Sequence, residues 1–267
     1  KMMTNYMFIY ICAFLFQLIW SGKFASIYRG EGNLKAVLYA FIDLFGLAAF
    51  MGTPTLNITW WYMSIAVLMV FFLPCLIRWQ KTAGSLILII CAFAPYFNIA
   101  DTSFGRYIFI MASGIFCAEY GLIEKTADKL LFKNKNGDTA FKLAAAAGAF
   151  LLLYALRIRA GYEFWIDAFI AIDVCIMVYL ISFGRKRIFP MKIMEFLGKY
   201  SMTIFLTHSF IFYYYFTEFV YSFQKCVPIY FALLFSSLLL AIGLEQMKKL
   251  FKIDHITKYL IEKIESV

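Results

Sequence analysis

Residues 201–223 contain one acid, Glu218, and no Lys, Arg or Asp, and they are long enough to cross a bilayer as a helix. Eight more apolar runs resemble it, at about 2–20, 36–51, 58–77, 85–99, 105–121, 141–157, 164–183 and 228–246. In hydrocarbon a helix satisfies its backbone groups within the segment. The expected fold is therefore all-α: a polytopic transmembrane bundle of about nine spans over residues 1–246, followed by a basic amphipathic cytoplasmic tail over 247–267. Only 15% of the residues are charged, against about a quarter in a soluble domain. The runs 36–51 and 85–99 are short, and Pro95, Tyr96 and Asn98 mark a bend or an end inside the membrane. Such a break requires protein or a wet cavity around it.

The basic residues test this division. With nine spans, one side of the membrane receives the segments 21–35, 78–84, 122–140, 184–200, the tail and Lys142, which together hold 20 of the 25 Lys and Arg. The other side receives Lys1, Arg106, Arg157, Arg159 and Lys225. That bias puts the basic side and the C-terminus in the cytoplasm of a multi-pass cell-membrane protein, with residue 1 outside. The net charge of +9 thus reflects topology and the anionic inner leaflet, and no nucleic-acid partner is expected. The tail places Leu250, Ile253, Ile256, Leu260 and Ile264 at helical spacing among five lysines. The six cysteines form no C-x-x-C pair and read as small apolar filler, so neither a metal site nor a disulfide framework is expected.

Polar residues inside spans are the candidates for chemistry, because burying them in lipid is costly. His208 is one of two histidines and lies in the run 201–223 with Ser201 and Thr207. Ser201 is two turns back on nearly the same helical face, which makes it the better companion in a polar pocket; Thr207 lies about 100° round. The alternative is that His208 simply bonds a neighbouring helix. The intramembrane acids Asp43, Glu119, Asp167, Asp173 and Glu218 suit structural ion pairs as well as catalysis. Asp101 and Arg106 flank the break after Pro95 and are candidates for a cavity mouth or a plain interfacial pair. Asn57, Trp60 and Trp61 open the third run; an aromatic belt explains the tryptophans, and a binding surface is the other reading.

Three stretches carry a resemblance. Leu197, Gly198, Ser201, Ile204, Phe205, Leu206 and His208 resemble the closing signature of the membrane-bound acyltransferase-3 family, L-G-x-x-S-x-x-I-[YF]-L-x-H. The stretch Leu56-Asn57-x-Thr59-Trp60-Trp61-Tyr62, with Pro74 in the same run, resembles that family's mid-chain tryptophan helix, and residues 109–118 resemble its F-x-x-G-I-x-x-A helix. They come in the family's order and cover the last two-thirds to three-quarters of its usual length. The family's opening pair, an Arg about ten residues before a His, has no counterpart: only His208 and His255 exist, and neither follows such an Arg. The chain, which begins with Lys, is accordingly expected to be the larger C-terminal part of such a protein and to lack the family's general base.

The resemblance implies an integral membrane O-acyltransferase of bacterial type. It would transfer acetyl from acetyl-CoA, a donor substrate rather than a tightly bound cofactor, to a hydroxyl of a cell-surface sugar, polysaccharide or lipid. In it His208 and Ser201 would support catalysis, and Trp60, Trp61, Asn57, Arg106 and Asp101 would bind substrate. A hydroxyl is a weak nucleophile and needs a base, typically His. Two other classes stay open: a transporter or flippase of a small polar or lipid-linked molecule, suggested by the broken runs, and a non-catalytic membrane module.

Overall fold

The computed structural model describes residues 2–21, 28, 33–96, 104–160, 164–182 and 189–265. Among them every regular element is helical. In chain order these are α1 (Met2–Ser21), α2 (Asn33–Leu44), α3 (Ala48–Met51), a 3-10 turn (Ile58–Trp60), α4 (Trp61–Ala83), α5 (Leu86–Phe93), a second 3-10 turn (Ala94–Tyr96) and α6 (Phe104–Glu119). They continue with α7 (Leu122–Asp128), α8 (Lys135–Ala160), α9 (Phe164–Ser182), α10 (Phe189–Ser209), a π-helical turn (Phe210–Tyr215), α11 (Thr217–Tyr221), α12 (Cys226–Leu250) and α13 (Ile253–Glu265).

Five helices are each long and apolar enough to cross a membrane: α1, the helical stretch Ile58–Ala83, α8, α9 and α12. The pair Tyr107–Glu119 and Leu122–Asp128 makes a sixth if the two count as one span bent by 58°. Gly121, at φ +56, sits in that bend, where the left-handed backbone suits a residue without Cβ. Large side chains such as Ile19, Leu151, Leu239 and Leu250 lie exposed on these helices. That much uncovered apolar surface is compatible with a multi-pass membrane protein. Runs read as single spans are divided here. Residues 36–51 break at Gly46, and 201–223 break at the π-turn. Residues 189–200, read as part of a segment between spans, are already inside α10, and α12 continues past 246 to Leu250.

The chain forms two compact units. The first comprises residues 1–67 and 189–267. Its core gathers Tyr6, Ile9, Tyr10 and Tyr28 with Leu56, Trp60, Met63, Leu206 and Leu244. Aromatic rings dominate it, and Trp60 stands edge-on to Tyr6 at 5.1 Å and to Phe210 at 5.6 Å, the T-shaped geometry that ring quadrupoles favour. Gly46 (φ +70) makes the sharp turn after α2, and a Cβ there would come within 3.3 Å of Met63 and 3.4 Å of Tyr6. Its carbonyl accepts from the Ser64 hydroxyl at 2.6 Å.

The second unit, residues 68–188, packs Leu76, Ile87, Cys91 and Ala112 at its core. Polar groups tie its helix ends. Asp138, in the first turn of α8, accepts from the backbone N–H groups of Leu131 and Phe132 at 2.7 and 3.0 Å and pairs with Lys142 at 2.7 Å. Asp167 pairs with Arg157, joining α8 to α9. That is the structural reading of this intramembrane acid.

Candidate functional site

The tryptophan stretch and the histidine stretch meet in the first unit. Asn57 starts the 3-10 turn that leads into α4. Its extended backbone (φ −142) and its side-chain oxygen, which accepts from the Thr59 N–H, are those of an N-cap. The same side chain is wholly buried and reaches α10. Asn57 Nδ2 donates to Ser209 Oγ at 2.6 Å, and Oδ1 accepts from Ser209 Oγ at 2.9 Å and from Thr59 Oγ1 at 3.1 Å. One turn on, the Trp60 indole N–H donates to the Leu206 carbonyl at 2.9 Å. Leu206 and Ser209 lie at the end of α10, where the helix widens into the π-turn and Phe216 N–H bonds back to the Ile211 carbonyl at 2.9 Å. Such turns interrupt the regular ladder and recur at functional sites.

Of the expected binding residues, Asn57 and Trp60 are therefore brought together, with their polar atoms directed at α10. Trp61, by contrast, is 41% exposed and turns away from this core, as an interfacial aromatic would. Asp101 lies outside the described residues, and Arg106 is described only as part of the α6 backbone.

His208 is half-buried, with rings of Phe205 and Phe212 on either side at 5.9 and 5.7 Å. Its Nδ1 bonds the Phe205 carbonyl at 2.7 Å and approaches that of Ile204 at 3.2 Å. Carbonyl oxygens only accept, so Nδ1 carries a proton, and in that tautomer the lone pair of the neutral ring is on Nε2. No hydrogen bond joins His208 to Ser201 or Thr207. Ser201 is exposed and donates to the Gly198 carbonyl at 2.8 Å, while buried Thr207 donates to the Thr203 carbonyl at 2.7 Å. At about 100° per residue His208 and Ser201 fall on one side of α10. The buried Thr203 and Leu206 occupy the other. The polar pocket expected between His208 and Ser201 does not form, because each side chain is satisfied by its own helix.

Two features of this unit were not singled out as sites. The first surrounds Asp43, which is 1% exposed. Its carboxylate accepts from Tyr28 Oη at 2.8 Å, Thr55 Oγ1 at 3.0 Å and the Leu56 N–H at 2.6 Å, while Tyr6 Oη donates to its backbone carbonyl at 2.6 Å. Tyr10 joins Tyr28 at 2.8 Å. Burial, and then the facing carboxylate, hold the Tyr28 phenol far above its ordinary range, so it stays a proton donor. Asp43 was recognisable as an intramembrane acid, but its donors lie in three other segments and leave no periodic trace.

The second is an apolar cavity of ≈ 450 Å³ between α1, the end of α10 with its π-turn, and α12. Cys12, Phe16, Thr207, Ile211, Leu240 and Leu244 are among its walls. Tyr215, also in the wall, is hydrogen-bonded to Gln17. Beyond the cavity, Thr203 donates to Glu245 at 2.9 Å and buried Lys248 pairs with the same carboxylate at 3.1 Å, which clasps α10 to α12.

No protein-family model matches the chain, and neither a curated protein nor a solved structure matches it.

Proposed function

We propose that this protein is a membrane O-acyltransferase, or the larger part of one, that moves an acetyl group from acetyl-CoA to a hydroxyl of a cell-surface sugar, polysaccharide or lipid. One observation carries the reading. The two stretches that most resemble the acyltransferase-3 family lie far apart in sequence, yet they share hydrogen bonds through Asn57 with Ser209 and Trp60 with Leu206. That contact supports reading the two stretches as parts of one site.

The chemistry follows from the groups at hand. His208, with Nδ1 held by a carbonyl, offers Nε2 as an acceptor for an alcohol proton. The cavity between α1, α10 and α12 in the same unit has apolar walls and suits an alkyl chain of donor or acceptor, although His208 does not line it. His208 acts in support, and the family's Arg-x10-His base has no counterpart among these residues. The proposed setting is the cell membrane, crossed several times, with the C-terminus in the cytoplasm. Residues 36–51 do not make a separate crossing, because Tyr28 before Asp43 and Thr55 and Leu56 after it all bond its carboxylate. A transporter is favoured by one observation, the 58° bend between α6 and α7.

Deleting the encoding gene and measuring ester-linked acetyl on surface glycans and lipids by mass spectrometry tests the proposal. Loss of acetyl from one class, restored by the gene, is expected. Unchanged acetylation together with altered uptake or export of a solute would replace the enzyme by the transporter.

A further inference from the structure

A second cavity, of ≈ 650 Å³, lies in the other unit between α7, α8 and α9. Three lysines line it, and one is committed: Lys142 Nζ pairs with Asp138 at 2.7 Å and donates to the Ala127 carbonyl at 2.7 Å. Lys125 and Lys129, from α7 and its C-terminal cap, are exposed and form no ion pair among the described residues. Two acids, Glu124 and Asp128, share their helix, and Asp128 accepts from Tyr179 at 3.2 Å. That bond ties the end of α7 to α9. From Tyr179, Asp173 lies about 9 Å further along α9 at about 1.5 Å per residue.

Asp173 lines the same cavity, and its Oδ2 is buried with no hydrogen-bond partner. A carboxylate oxygen left unmet away from water is costly, and native structures rarely tolerate one without a use for it. The wall beside it is made of Ala145 and Ala149, which leave the passage open. Two lysines without ion partners thus mark one end of a cavity, and a carboxylate lacking a donor marks a point deeper in.

We propose that this cavity binds a phosphoethanolamine group, its phosphate at Lys125 and Lys129 and its ammonium at Asp173. The zwitterion matches both charges in order. The ammonium supplies the donor that Asp173 Oδ2 lacks, and the pair is charge-assisted. The lysines contribute a weaker, salt-screened attraction because they face solvent. The group can belong to a membrane phospholipid or to a soluble metabolite. The site is independent of the acyl-transfer reading and stands or falls without it.

The test uses the purified full chain. Binding of soluble phosphoethanolamine is measured by calorimetry in detergent. Retention of phosphatidylethanolamine against phosphatidylglycerol is measured by native mass spectrometry from mixed-lipid nanodiscs. Ethanolamine is expected to win over glycerol by about tenfold, the worth of one charge-assisted hydrogen bond. Binding of the soluble compound identifies a metabolite site, and binding of the lipid alone identifies a headgroup site. Asp173→Leu should abolish the preference while unfolding no earlier than the parent, since it removes an unmet polar atom. Asp173→Asn reads the same preference if the leucine variant does not fold. Lys125→Gln with Lys129→Gln should weaken both headgroups and leave the preference in place. Equal retention of the two lipids without binding of the soluble compound overturns the proposal, as does a preference that survives the Asp173 variants.

Discussion

Asn57 and Ser209, 152 residues apart, exchange hydrogen bonds in both directions, Nδ2 to Oγ at 2.6 Å and Oγ to Oδ1 at 2.9 Å. Asn57 also caps the turn into α4, so one buried side chain starts a helix and fixes where another must lie.

Asn57→Leu should therefore be among the more damaging single changes in the first unit. It strands the Thr59 N–H and leaves the Ser209 hydroxyl with only its contact to Thr59 Oγ1 at 3.0 Å, at a cost of about 2–4 kcal/mol. Ser209→Ala removes one partner and should cost about 1–2 kcal/mol. Thermal unfolding in detergent measures both. Equal melting temperatures for the two variants would contradict the dual role of Asn57.

Asp43 supports a graded prediction. Its carboxylate accepts from a phenol, a hydroxyl and a backbone N–H, with no cation among these hydrogen-bond partners. Asp43→Asn keeps one oxygen for Tyr28 and Leu56 and turns an amide toward the Thr55 hydroxyl, which can accept. It should cost about 1 kcal/mol, whereas Asp43→Leu leaves the buried Leu56 N–H unmet and takes an acceptor from Tyr28 and Thr55, and should cost about 3 kcal/mol or more. A leucine variant as stable as the asparagine one would show that the cluster is wetter than its burial implies.

These two clusters also show where the sequence is legible. Apolar runs give the all-α character, and five of the helices are long and apolar enough to cross a membrane. The division of residues 201–223 is not legible, since Phe210–Tyr215 continues the apolar pattern while its ladder widens. Asn57 and Trp60 were visible as unusual residues, but their partners on α10 depend on packing across the chain. The pairing of Ser201 with His208 failed for a local reason. A short hydroxyl on a helix readily bonds the carbonyl three or four residues back, as Ser201 does with Gly198 and Thr207 with Thr203. A shared face is then not a shared bond.

The proposed topology rests on the basic segments. Cysteine replacing Arg187 should be silent to an impermeant thiol reagent added outside intact cells and reactive after permeabilisation, because 184–200 belongs to the basic side. Labelling from outside would overturn the cytoplasmic placement of the basic segments.

Helix α13 follows α12 after a turn at Phe251 and Lys252, and it carries Lys258 and Lys263 on an amphipathic sequence. A peptide of residues 247–267 should gain helicity with vesicles containing anionic lipid and lose it as salt rises. Equal helicity with neutral vesicles would make the tail a plain hydrophobic helix.

Acyl transfer is tested most directly at His208. Membranes from cells expressing the encoding gene, supplied with labelled acetyl-CoA, should incorporate label into an alkali-labile ester. His208→Ala should lower that incorporation by about a hundredfold, the usual worth of a group that handles a proton, with expression and melting temperature close to the parent's. Incorporation that survives His208→Ala undiminished, or that never exceeds membranes lacking the gene, would contradict the account.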